Sequence, residues 1–216
     1  IPGISLSSAN SINIGRLIPQ VVYYIYTYIC LVNKGKIKYG EKINFSVPTG
    51  NFGNILACYI AKMLGTPINH VICASNKNNV LTDFFKTGEY NANRPFYVTN
   101  SPSMDILVSS NLERLLYLMT NDKNYVKELM QRLNQNGSYK VNKDLFSELQ
   151  NIDATYVDEE ETKKAIKELY YNKGILIDPH TSVAYTGYLK ARPNGYTICV
   201  STASPYKFPV TIASAL

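Results

Sequence analysis

The sequence contains no Cys-x-x-Cys pair, no apolar run long enough for a bilayer and no stripe of basic residues. Each absence removes a class of protein. Cys30, Cys58, Cys73 and Cys199 all sit between apolar neighbours, so buried free thiols in a reducing cytoplasm are expected rather than disulfides. The longest apolar run, residues 21–32, is short for a membrane span and carries four tyrosines, which favours a buried helix. Lys and Arg number 22 against 16 acidic residues, a net charge of +6, yet they are scattered singly. Only Lys34, Lys36 and Lys38 and the pair Lys163, Lys164 cluster, which argues against a nucleic-acid groove. No His/Cys/Asp group has zinc spacing, so no metal is expected. No signal-peptide pattern opens the chain, and its first residue is Ile1 rather than Met, which suggests a piece of a longer protein.

Core-forming material, by contrast, is plentiful. Of 216 residues, 45% are apolar and 18% charged, with 18 Tyr and 7 Phe, which is too hydrophobic for disorder. Helical and strand periodicities alternate. A helix is expected over 17–32, with Asn13 or Ser11 as its cap, then a strand over 43–47, a helix over 54–64 and a strand over 70–74. Helices are expected at 80–86, ending at Gly88, and at 103–119. Residues 121–174 read as a more polar helical excursion, with helices at 125–133, 144–149 and 158–172. A short apolar run at 175–177, a helix over 181–190 and a strand over 197–200 complete the pattern. Alternation with short Gly/Pro turns implies an α/β fold: an open, mainly parallel sheet with helices on both faces. Ligands in such sheets bind beyond the carboxyl ends of the strands.

Two strand ends carry small polar turns, residues 48–54 and 201–205. In the first, Gly50 and Gly53 are free to take positive φ and let amides crowd around one ligand, while the helix that follows offers unpaired N–H groups and a positive dipole end. A phosphate suits such a turn. It is no P-loop, because Asn54 and Ile55 follow the second glycine where Lys and Ser/Thr are required, and it lacks G-x-G-x-x-G. Taken alone, the turn reads equally well as a tight βα connection whose glycines serve geometry only.

Four segments together carry more information. Gly50-Asn51-Phe52-Gly53-Asn54, the opening Ser8 to Arg16, the stretch Asp178 to Tyr185 and the segment Ser201 to Phe208 resemble threonine synthase, in the same order and over nearly the whole chain. That family uses pyridoxal 5'-phosphate on the tryptophan-synthase β-subunit (type II) fold. The resemblance implies that Gly50, Asn51, Phe52, Gly53 and Asn54 bind the cofactor phosphate and that Thr202 sets a hydroxyl beside the pyridine nitrogen. It implies conversion of O-phospho-L-homoserine and water to L-threonine and phosphate, with Arg16 on the substrate phosphate and Ser11 and Asn13 as polar helpers. The chain departs from the family at Ser204, where His is usual.

One part of the resemblance is missing. The family holds its cofactor on a lysine in a Phe-Lys-Asp segment ahead of the phosphate loop, and nothing before Gly50 matches it. Phe85-Lys86-Thr87 follows the loop and is rejected, and no catalytic residue is assigned. The chain is therefore expected to be the carboxyl-terminal part of such an enzyme, mostly its large cofactor-binding domain, inactive alone and able to self-associate through its tyrosine-rich first helix. Alternatives are another type II lyase or replacement enzyme, such as a threonine dehydratase or cysteine synthase, and a noncatalytic module that binds a phosphate ligand. His70, at a strand start, reads as structural. His180, at a helix start, is explained by capping, with a role in the pocket as the alternative.

Overall fold

The computed structural model describes Gly3 and residues 10–216; Ser8 and Ala9 of the opening motif lie outside the described residues. Helix α1 (Ile14–Asn33) begins where the Asn13 side chain accepts the Gly15 N–H at 2.8 Å, as its composition suggested. There follow β1 (Ile43–Pro48), α2 (Gly53–Met63), β2 (Ile68–Ser75) and α3 (Val80–Thr87), the last closed by Gly88 at φ +73. Next come β3 (Glu89–Asn91), a 3-10 turn (Pro102–Met104), α4 (Leu112–Thr120), α5 (Lys123–Asn136) and β4 (Ser138–Lys140). The chain continues through α6 (Lys143–Leu149), β5 (Ile152–Tyr156), α7 (Glu159–Lys173), α8 (Pro179–Ala191), β6 (Thr197–Cys199) and α9 (Pro209–Ala215).

Four strands form one parallel sheet in the order β5-β2-β1-β6, and β3 and β4 pair as a separate antiparallel ribbon. From β1 the chain steps outward through β2 to β5, then returns to the far side of β1 as β6. Right-handed crossovers therefore put α2 and α3 on one face and α7 and α8 on the other. Side-chain alternation along β1 agrees. Ile43, Phe45 and Val47 enter the main apolar cluster with Leu17, Tyr24 and Leu56, each such burial contributing about 1.5–3 kcal/mol. Ser46 points the other way and donates to the Ala184 carbonyl in α8 at 2.6 Å. Helix α8 lies so close to the sheet that a Cβ on Gly187 would stand 2.7 Å from the Cβ of Ala74 in β2.

Two sequence expectations differ from this fold. The helix expected over 103–119 begins only at Leu112, because Asp105 is engaged by tertiary partners. Its carboxylate accepts from the Thr99 amide at 2.9 Å, Asn76 at 2.8 Å and Asn78 at 3.1 Å, which fixes the preceding chain as a loop. Within 121–174, strands β4 and β5 interrupt the helices, and β5 is an edge of the main sheet whose polar Asp153 and Thr155 masked it. In the apolar run 175–177, Leu176 and Ile177 pack on Ile166, Ile212 and Ala215, joining α7 to α9.

Candidate functional site

The reversal of winding between β1 and β6 opens a crevice where the turns following these strands diverge, the position at which open α/β sheets receive ligands. A cavity of about 230 Å³ lies there, lined by all of residues 48–54 and by Thr202. Ser11 contributes from the chain before α1, Arg16 and Gln20 from α1, Ser103 and Met104 from the 3-10 turn, and His180 from α8. A second cavity of about 610 Å³ adjoins it, sharing Arg16, Gln20, Asn54 and Thr202. Eight of the nine residues singled out from the sequence thus meet in one place. The ninth, Asn13, is outside the lining and caps α1.

The loop 48–54 is pinned through its carbonyls. Its carbonyls are occupied from outside: Ser109 Oγ donates to Gly50 O at 2.5 Å, Asn111 Nδ2 to Asn51 O at 3.0 Å, and Leu56 N–H closes the first helical bond on Phe52 O at 3.0 Å. Helix α2 has no side-chain cap, so the amides of residues 53–55 precede its own hydrogen-bond ladder. Amides arranged in this way, with a helix dipole behind them, form an anion nest. Among the described residues no acidic side chain lines the cavity.

Backbone geometry corrects one expectation. Neither glycine takes positive φ; Phe52 does, at φ +64 and ψ 0, held there by its buried ring against Phe85, 5.8 Å between centroids. A left-handed phenylalanine costs on the order of 1–2 kcal/mol, which the core contact offsets. The glycines are required by proximity instead. A Cβ on Gly50 would lie 2.9 Å from the Met104 Cα, and one on Gly53 would lie 3.3 Å from Asn111 Nδ2.

Three further residues order the site. Tyr24 in α1 donates its hydroxyl to Asn54, through both the backbone carbonyl at 3.1 Å and the side-chain oxygen, and its ring meets Phe45 edge-on at 4.9 Å. Burial, with Cys58 nearby, pushes the Tyr24 phenol well above its ordinary pKa, so it stays a donor at neutral pH. Asn111, fully buried at the start of α4, bonds both Asn51 O and Ser11 O, joining the loop to the chain before α1. Asp178 caps α8 and accepts from the His180 amide at 2.8 Å, from the Thr181 hydroxyl and from the His180 ring, where Nδ1 stands 3.0 Å away. Burial alone would raise the Asp178 carboxyl, but these bonds outweigh it and hold the pKa below its ordinary value. Thr181 in turn reaches Ser201 Oγ at 3.0 Å, tying α8 to the Thr202 turn. Tyr24 and Asn111 carried no local signal, since their partners lie 30 and 60 residues away.

The remaining candidates fall elsewhere. His70 pairs with Asp153 at 3.0 Å on the sheet, half exposed, and Lys86 lines a different cavity beside β5. Among the described residues no group of His, Cys, Asp and Glu could hold a metal ion, and no helix is long and apolar enough to cross a membrane.

No family model matches the chain. Threonine synthase-like 1 of Homo sapiens is 46% identical over 218 residues, covering 99% of this chain and 29% of that protein. Threonine synthase of Saccharomyces cerevisiae is 37% identical over 232 residues, covering 98% of this chain and 45% of the enzyme. The crystal structure of pyridoxal phosphate-bound threonine synthase from Brucella melitensis superposes with a TM-score of 0.90 at 36% identity, over 97% of this chain and 45% of that one. The chain thus spans less than half the length of these relatives. Along nearly its whole length the chain is similar in sequence to part of the threonine synthases, and it shares their sheet and helix arrangement, the tryptophan-synthase β-subunit fold.

Proposed function

We propose that the chain carries the phosphate-binding part of a pyridoxal phosphate-dependent threonine synthase, which converts O-phospho-L-homoserine and water to L-threonine and phosphate. The observation that carries this reading is the loop of residues 50–54, its carbonyls held by Ser109 and Asn111 and followed by the uncapped start of α2, sharing one cavity with Thr202. Gly50, Asn51, Phe52, Gly53 and Asn54 hold the cofactor phosphate, each charge-assisted bond being worth about 1.5–3 kcal/mol. Thr202 offers a neutral hydroxyl to the ring nitrogen. When bound, pyridoxal phosphate supplies the electron sink that lets carbon–hydrogen and carbon–oxygen bonds beside an amine break. Arg16, which lines both cavities, binds the substrate phosphate, with Gln20 and Ser11 beside it. Asn13 supports this group indirectly, by starting the helix that presents Arg16. All four cysteines are free thiols, in keeping with a cytoplasmic setting.

On this reading the chain alone binds the cofactor but does not turn over substrate, because among the described residues no lysine lines either cavity. That same feature favours a second reading, a noncatalytic module for a phosphate ligand. Incubating the purified chain with pyridoxal phosphate and O-phosphohomoserine should give saturable binding without phosphate release; release at an intact enzyme's rate would refute the predicted inactivity. Parallel assays with threonine and O-acetylserine separate dehydratase and replacement chemistry. Sequencing the gene upstream of Ile1 divides the two main readings: an in-frame Phe-Lys-Asp segment supports the enzyme, and an immediate start codon the module.

A further inference from the structure

His180 is buried, with its side chain only 3% exposed, and among the described residues it is the one imidazole lining the phosphate-loop cavity. The guanidinium of Arg16 lines the same cavity. The imidazole is held on two sides. Its Nδ1 faces Asp178 Oδ1 at 3.0 Å, and Phe208 packs against the ring at 4.9 Å between centroids. Asp178 is ionised and can only accept, so Nδ1 carries the proton in the neutral ring and Nε2 presents a lone pair. That Nε2 is buried with no hydrogen-bond partner among the described residues, an arrangement that costs free energy unless a ligand meets it.

We propose that His180 is the proton-exchanging ligand contact of this cavity: when a phosphate-bearing ligand binds, Nε2 takes up a proton from solvent and donates a hydrogen bond to an anionic oxygen of that ligand. Asp178 makes this feasible by leaving a carboxylate against the opposite edge of the ring, so that the imidazolium is buried as half of an ion pair. Among the described residues no carboxylate lines the cavity to compete for Nε2 from the loop 48–54, the 3-10 turn, α1 or the Thr202 turn. Asp178 is a positioning residue, linked through Thr181 to Ser201 in the turn that presents Thr202.

The inference rests on reading the cavity as the cofactor's phosphate site, and its test separates the two. The probe is pyridoxine 5'-phosphate, which lacks the aldehyde and so cannot react with surface lysines. The chain has two histidines, and His70→Asn removes the one on the sheet surface, leaving a single imidazole whose Cε1–H signal is followed by NMR. Saturation with the probe should shift that signal and move its titration to higher pH. His180→Gln keeps an N–H donor but cannot titrate. Its dissociation constant relative to the parent chain should rise about tenfold between pH 8.5 and pH 6, the expected size for one charge-assisted bond. If the probe binds while the signal stays unmoved and the Gln variant matches the parent at both pH values, the role of His180 is overturned and the cofactor site stands. If the probe does not bind at all, the cofactor reading falls and this inference falls with it.

Discussion

Asn111 is fully buried, and its one amide nitrogen serves two carbonyls, Ser11 O and Asn51 O, each at 3.0 Å. Asn111→Ala would remove this donor from Ser11 O and leave Asn51 O with only the residue-111 backbone N–H at 3.2 Å, so urea denaturation should show a loss of about 1–3 kcal/mol, with weaker binding of pyridoxine 5'-phosphate. Unchanged stability and affinity would mean that the staple does not shape the loop. Cys73 carries a different prediction. Burial raises its thiol from 9.0 to about 12, against smaller opposing contributions from Ser75 and Thr49. A group whose pKa is higher in the folded state stabilises fully below the unfolded value and loses that contribution as pH climbs through the folded one. Stability should therefore decline between pH 9 and pH 12 as the unfolded chain releases protons that the native chain retains, and Cys73→Ala should flatten this limb in melts recorded across that range. Neither effect is legible in the sequence: a cysteine among apolar neighbours suggests burial, but its titration depends on packing from both faces of the sheet.

Helix α8 depends on the absence of a side chain at one position. Glycine inside a helix usually costs about 1 kcal/mol relative to alanine, so Gly187→Ala would stabilise an isolated helix. Here the added methyl would meet Ala74 Cβ at 2.7 Å and Thr155 Oγ1 at 2.9 Å, lifting α8 from the sheet. Gly187→Ala should instead lower the melting temperature, corresponding to about 1–3 kcal/mol of overpacking. A rise would show that the helix has slack. At this scale local chemistry was informative. Asn13, Asp122, Asn142, Asp158 and Asp178 each cap a helix as their positions suggest, and Asp158 forms a capping box with Glu161. The short elements were less readable. Strands β3 and β4 are three residues each and depend on one another, with Tyr90 and Tyr139 stacked at 5.2 Å across a gap of nearly fifty residues.

Across the whole molecule, α1 has two apolar faces. Leu17, Val21, Tyr24 and Tyr28 are buried, while Ile14, Ile18, Val22, Tyr23, Tyr26 and Ile29 remain exposed, an apolar stripe of the kind that marks a contact surface. The purified chain should associate with a second copy through this stripe, and sedimentation velocity should show the average mass rising with concentration. Val22→Lys combined with Tyr26→Lys should restore the monomer; association that survives both changes would exclude α1 as the contact. The sequence by itself determined the order of the main helices and strands, their caps, and the two strand-end turns, because periodicity and capping act within a few residues. Only the tertiary structure decided that β5 closes one edge of the sheet, that Phe52 rather than a glycine takes the left-handed conformation, and that Asn111, Tyr24 and His180 surround the loop. Those contacts join residues from 30 to about 130 positions apart, and no local pattern encodes a partner that only chain folding brings within reach.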